Sequence, residues 1–178
     1  ITMKGYIGDA SKENEKTIKY IHGKKYINTG DVTYIDEDGR IGEIIREGRI
    51  IRTQDGKIFT TILEAILESI PEIKESVVVE APNPTKVKEA SCHIVLKEEY
   101  RTEEKLEPTI KKIINIMEEK TNKMYTYYVP GTYQFRFDDL PRTASMDKKD
   151  VKKLEKENIE EYEENGSKPL KKIRILQK

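Results

Sequence analysis

The apolar positions of this chain fall into short runs of two different periods. Ile62, Leu63, Ile66, Leu67 and Ile70 recur at helical spacing, which predicts a helix with Thr60 or Thr61 at its start and Pro71 as its stop. Leu106, Ile110, Ile113, Ile114 and Met117 repeat that spacing and predict a second helix over 102–120, with Pro108 marking a kink or the first turn. Between them, 76–81 is a continuous apolar run and 89–97 alternates, so the two read as paired strands around the rigid turn at Pro82-Asn83-Pro84. Residues 133–138 alternate as a third strand. A charged helix over 148–164 and a last strand over 172–176 follow, separated by the break at 166–169.

Upstream the pattern is looser. Residues 11–21 read as a polar surface helix, capped by Asp9 or Ser11 and ended by Gly23. Residues 26–36 read as extended chain interrupted by a turn at 28–31, and Asp38-Gly39 is a hairpin turn signal. The isoleucines of 40–53 predict two short strands broken at Glu47-Gly48, and Asp55-Gly56 is a further tight turn. From residue 58 the order helix, strand, strand, helix, strand, helix predicts an α+β unit, a small mixed sheet with flanking helices. A β-hairpin-rich piece precedes it. The boundary is predicted at 46–49, where Gly48 permits a change of chain direction.

Composition narrows the function classes. Lys+Arg and Asp+Glu each number 33 in 178 residues, so the net charge is zero. That balance argues against a nucleic-acid binder, which needs a basic excess. No apolar run is long enough for a membrane span. A single cysteine, Cys92, cannot form an internal disulfide, which fits a cytoplasmic setting. His22 and His93 show no metal-ligand spacing, so no metal site is expected. The opening residues 1–6 read as the middle of a domain, so the chain is expected to belong to a longer protein.

Several residues could carry chemistry. Asp31, in the turn Thr29-Gly30-Asp31, could accept two hydrogen bonds from a ribose diol or simply form the turn. Arg46 and Arg49 could bind phosphate or ribose oxygens or remain solvated strand charges. The loop Leu140–Ser145 leads to Lys148 and Lys149, and a lysine there could neutralise charge developing between a carboxylate and a phosphate. The adjacent pair Cys92 and His93 falls on an alternating strand, whose successive side chains oppose, so the two cannot act together. Tyr125, Tyr127, Tyr128, Tyr133, Phe135 and Phe137 read as packing around the third strand rather than as a base-stacking surface.

Taken in order, these pieces resemble the C-terminal part of the adenylate-forming (AMP-binding) superfamily: acyl-CoA synthetases, peptide-synthetase adenylation domains and luciferases. Met3-Lys4-Gly5-Tyr6 is similar to a family segment. So is the run Tyr26 to Asp31, continued by Tyr34, Asp36 and Asp38-Gly39. Arg46 falls at the hinge arginine, Gly56-Lys57-Ile58 and Glu64 at the start of the mobile subdomain, and Ser76 to Val79 at an apolar strand. Leu140-Pro141-Arg142-Thr143 followed by Lys148 to Leu154 resembles the closing motif. One inserted residue aligns Asp150, Lys152 and Leu154 and brings Lys148 to the catalytic lysine, whereas an ungapped alignment puts Asp147 there. Ile45, Gly48 and Ile62 depart from the family pattern.

The resemblance implies a large N-terminal adenylation domain ending at 1–46, a mobile C-terminal subdomain over 47–155 and a charged extension over 156–178. It implies an enzyme that uses ATP and Mg²⁺, bound mainly by the N-terminal domain, to activate a carboxylic acid as acyl-AMP. The acyl group then passes to CoA, or to the phosphopantetheine of a carrier protein. Lys148 would neutralise charge in the first step, and Asp31 with Arg46 would hold the ribose. Glu47, Gly48 and Arg49 would form the hinge, and Gly56 and Lys57 the loop facing the thiol. A degenerate member serving as a non-enzymatic module is the alternative. This stretch alone is expected to be inactive, because it holds no phosphate loop and no acyl pocket.

Overall fold

The computed structural model describes residues 3–33, 35, 37–42, 44–124 and 126–176. The chain divides into two compact units, Ile1–Gly48 and Arg49–Lys178.

The first unit is a set of short hairpins. A 3-10 turn over Gly8–Glu13 leads into the one-turn helix α1 (Asn14–Thr17), then strand β1 (Ile18–Ile21) pairs antiparallel with β2 (Lys24–Ile27). The helix predicted over 11–21 is therefore replaced after Thr17 by a strand. Ile18, Tyr20 and Ile21 favour extended backbone. His22 and Gly23 both take positive φ, 48° and 74°, so Gly23 turns a hairpin instead of ending a helix. Neither Asp9 nor Ser11 caps α1, whose N-cap is Glu13 without a side-chain bond. Strand β3 (Asp31–Val32) pairs antiparallel with β4 (Ile45–Arg46), and a bridge between Ile35 and Ile41 flanks the predicted Asp38-Gly39 turn. Tyr34 and Asp36 lie outside the described residues. Among the described residues of this unit, Ile45 is the one buried hydrophobic side chain.

The second unit is α+β. Strands β5 (Ile50–Arg52) and β6 (Lys57–Phe59) form a hairpin around Asp55-Gly56. The two strands expected within 40–53 both exist, but β4 pairs with β3 and β5 with β6. Helix α2 (Thr60–Glu68) follows; its N-cap is Phe59, and Thr60 donates its hydroxyl to the Arg49 carbonyl at 3.0 Å rather than capping the helix. Strands β7 (Ile73–Asn83) and β8 (Val87–Leu96) pair antiparallel. Helix α3 (Glu103–Asn122) runs through Pro108 and leads to β9 (Thr132–Arg136), parallel to β8. Helix α4 (Val151–Glu164) starts at Asp150, whose carboxylate accepts the Lys153 amide at 3.1 Å; β10 (Ile173–Leu176) then lies parallel to β9. The sheet order is β10-β9-β8-β7, which leaves β7 at an edge.

Strand alternation divides the apolar residues between two layers. Val78, Cys92, Ile94, Tyr133 and Phe135 pack with Leu63, Leu67, Ile113 and Met117 of α2 and α3. Val77, Val79 and Val95 face the other way, onto Leu140 and Leu154. Full burial of such side chains stabilises by roughly 1.5–3 kcal/mol each. The α4 face also holds buried polar pairs: Gln134 donates to Asn158 Oδ1 at 2.7 Å, and Asn158 to the Glu80 carbonyl at 3.1 Å.

Candidate functional site

In the first unit, the Asp31–Arg46 pairing of β3 and β4 brings together the two residues expected to hold a ribose. Arg46 Nη1 lies 3.0 Å from Asp31 Oδ1 and also donates to the Thr29 carbonyl. The turn before Asp31 is built by side chains, with the Gly30 amide donating to Asn28 Oδ1 at 2.9 Å and Gly30 at φ +73°. Asp31 keeps acceptor capacity after its ion pair, because a carboxylate carries about four lone-pair sites. This acceptor can therefore take hydrogen bonds from a sugar diol.

The expected hinge is anchored on both sides. The Glu47 amide donates to the Gly30 carbonyl at 2.8 Å within the first unit. Within the second, Arg49 pairs with the largely buried Glu64, whose Oε1 also accepts the Val78 amide at 2.8 Å. Gly48 stands between these anchors.

Lys148 and Lys149 lie beside the edge strand β7, and the structure treats them differently. Lys149 Nζ donates to the Ser76 carbonyl at 2.6 Å, closing off one outward-facing group of that edge strand. Lys148 is exposed, and among the described residues its ammonium has no hydrogen-bond or ion partner. Its backbone is held: its carbonyl accepts the Thr143 amide at 2.8 Å and its amide donates to Thr143 Oγ1 at 3.3 Å. Arg142 and Lys149 form an antiparallel bridge around it. Asp147 sits at φ +50°, in the left-handed region that favours glycine. A cleft of about 400 Å³ is lined by Arg49, Glu64, Arg142, Asp147, Lys148 and Lys149, among others.

Gly56 and Lys57 do not line that cleft. The Gly56 carbonyl accepts from the Thr53 amide at 2.8 Å and from its hydroxyl at 3.0 Å, and a Cβ on Gly56 would meet the Tyr127 ring at 2.8 Å. Cys92 and His93 point to opposite faces. Burial pushes the Cys92 thiol well up, which leaves it inert. His93 is held down to about 3 by burial, then by Arg136, whose Nη1 lies 3.3 Å from His93 Nδ1. Tyr133 and Phe135 are core residues, as expected, while Tyr125 lies outside the described residues.

Sequence reading missed two contacts of the expected site residues, Glu75 with the loop that bears Lys148 and Tyr127 with Gly56. Glu75 takes both Leu140 and Arg142, and its one sequence signal is a carboxylate directly before an apolar strand. Tyr127 passed as an ordinary packing aromatic, because its contact with Gly56 is remote in sequence.

Comparison with known proteins agrees with this architecture. Residues 63–146 match the AMP-binding enzyme C-terminal domain family. The mitochondrial acyl-coenzyme A synthetase ACSM3 of Mus musculus is 34% identical over 130 residues, 73% of this chain and 21% of that protein. A 4-coumarate–CoA ligase of Pinus taeda is 32% identical over 126 residues, 69% of this chain and 22% of that one. The chain thus spans about a fifth of the length of these relatives. Among solved structures, the o-succinylbenzoate CoA synthetase of Bacillus subtilis, in complex with its acyl-adenylate, aligns with a TM-score of 0.65 at 23% identity, over 85% of this chain and 28% of that one. ATP-bound MatB of Rhodopseudomonas palustris aligns with a TM-score of 0.63 at 20% identity, over 91% of this chain and 28% of that one.

Proposed function

Residues 63–146 carry the AMP-binding enzyme C-terminal domain, and from that premise we propose that the chain is the C-terminal part of an ATP-dependent acid–thiol ligase. In this reading 1–46 ends a large N-terminal domain, consistent with a unit that buries little of its own apolar surface. Residues 47–155 are the mobile subdomain. The charged residues 156–178 extend it, completing α4 and adding β10 to the sheet.

In the first half-reaction a carboxylate oxygen attacks the α-phosphorus of ATP and pyrophosphate leaves. In the second a thiol sulfur attacks the acyl carbonyl, AMP leaves, and the thiol proton is released. Lys148 neutralises charge in the first step, a preorganised electrostatic contribution. Asp31, steadied by Arg46, accepts from the ribose hydroxyls. Rotation about Gly48, between its two anchors, withdraws Lys148 and brings the Gly56-Lys57 turn to the thiol. Mg²⁺ accompanies ATP, with ligands assigned to the N-terminal domain; among the described residues no group of His, Cys, Asp and Glu could hold a metal ion.

One observation carries this reading: among the described residues Lys148 presents an unpartnered ammonium on a braced loop, while its neighbour Lys149 is engaged with the sheet edge. The left-handed Asp147 supports the alignment with one inserted residue, since it then stands where the family has glycine before its lysine. CoA is the proposed acceptor, because the relatives are named as CoA synthetases and CoA ligases; a carrier-protein pantetheine is the second choice. The acid is a small-molecule carboxylate. A reducing cytoplasmic setting suits the lone buried thiol, and among the described residues no helix is long and apolar enough to cross a membrane.

The test is exchange of labelled pyrophosphate into ATP by the full-length protein across a panel of carboxylic acids. Exchange with any of them, lost in Lys148→Ala, supports the ligase. Exchange that survives Lys148→Ala keeps the ligase but takes the catalytic role from Lys148; no exchange with any acid favours the non-enzymatic module.

A further inference from the structure

The loop that bears Lys148 is fastened to two adjacent residues of the β7 edge. Glu75 Oε1 accepts the Leu140 amide at 2.7 Å, and Glu75 Oε2 pairs with Arg142 Nη2 at 2.5 Å. The Glu75 side chain is only 11% exposed, while Arg142, its partner in a charge-assisted pair, is 42% exposed. Next to it, the Ser76 carbonyl takes Lys149. A register shift in the β7–β8 ladder between Ile73 and Glu75 precedes this pair, the kind of irregularity that re-aims a side chain at a strand edge. Glu75 therefore grips the loop where it begins and Ser76 where it ends. The Arg142–Lys149 bridge and the paired Thr143–Lys148 bonds close it between.

We propose that Glu75 is a positioning residue for the adenylation half-reaction: it holds the Leu140–Lys149 loop so that Lys148 alone projects its ammonium. The proposal rests on the assignment of Lys148 given above. Glu75 also occupies the guanidinium of Arg142, which lines the same cleft as Lys148. Without that carboxylate the Leu140 amide loses its charged side-chain acceptor, and a second cation is freed beside the catalytic one. A displacement of about 1 Å can cost around 10²-fold in a preorganised site. The effect belongs to one half-reaction only, because Lys148 has left the reacting atoms before the thiol attacks.

The experiment uses full-length protein and compares Glu75→Gln, Glu75→Asp and Lys148→Ala with wild type. Two rates are read: pyrophosphate exchange, with the most active of butanoate, hexanoate, benzoate and 4-coumarate, and single-turnover transfer from the matching synthetic acyl-adenylate to CoA. Glu75→Gln is expected to slow exchange by about 10- to 100-fold, with KM for ATP unchanged and transfer to CoA at the wild-type rate. Glu75→Asp, which keeps the charge, should recover part of the exchange. Equal loss in both half-reactions would make Glu75 merely structural and overturn the proposal, as would no loss in either. Exchange that persists in Lys148→Ala, or that is absent with every acid, removes the premise instead, and the proposal with it. If Glu75→Gln does not fold, Arg142→Gln cuts the same tie from the loop side, with the same expected and overturning results.

Discussion

The ring of Tyr127 lies against the backbone of Gly56, so close that a Cβ there would stand 2.8 Å from its Cζ. Tyr127 belongs to a 3-10 turn after α3, and Gly56 to the hairpin between β5 and β6. The glycine is demanded by this close approach; its φ is not in the left-handed region. Gly56→Ala should destabilise the protein by about 1–3 kcal/mol through overpacking. Tyr127→Ala in the same chain should return part of that loss, because the clash partner is gone. Urea denaturation of the two single variants and the double variant reads the coupling; strictly additive effects would refute the contact.

Lys148 and Lys149 should separate cleanly. Lys148→Ala is expected to slow pyrophosphate exchange in the full-length protein by about 10²–10³-fold, the cost of removing one preorganised donor. Lys149→Ala should instead lower stability by about 0.5–1.5 kcal/mol, since it leaves the Ser76 carbonyl without its side-chain partner. Its exchange rate should fall less than that of Lys148→Ala. A larger exchange defect in Lys149→Ala would move the catalytic role by one residue.

Asp31→Ala removes the proposed acceptor for the ribose and the ion partner of Arg46. Each charge-assisted hydrogen bond is worth about 1.5–3 kcal/mol, so ATP should bind at least tenfold more weakly. Nucleotide titration of the full-length variant by calorimetry measures this. Unaltered affinity would reduce Asp31 to a turn former.

His93 sets a pH dependence. Its folded value of about 3, below the ordinary 6.5, comes from burial first and from Arg136 second, partly offset by Asn158. The folded state therefore binds fewer protons than the unfolded state. The stability this provides is complete above about pH 6.5 and falls as the pH drops toward 3. The slope is up to about 1.4 kcal/mol per pH unit, or about 2 kcal/mol between pH 6.5 and 5. Urea midpoints of wild type and His93→Gln at pH 7 and pH 5 should show a smaller acid loss in the variant. Parallel losses in both proteins would assign the effect to other groups.

The sequence alone determined those elements whose apolar period is strong enough to choose one backbone. The faces of α2 and α3, the paired runs of β7 and β8, and the opposition of Cys92 and His93 follow from spacings of 3.6 and 2, which are local properties. The same locality exposed Asp31, Arg46 and Lys148 as candidates, because turn, hinge and loop signals are written in neighbouring residues. Tertiary structure decided what depends on partners remote along the chain. Residues 18–21 became a strand because a two-residue turn of positive φ at His22-Gly23 supplied a partner in 24–27. Ile45 and Ile50, read as adjoining strands, joined different partners, since β pairing is settled between strands rather than within them. The distinction between Lys148 and Lys149 arose in the same way. The family resemblance pointed to Lys148 through one inserted residue, but local pattern does not rank two consecutive lysines; the edge strand β7 offers a carbonyl at Ser76, and Lys149, which reaches it, is no longer free for chemistry.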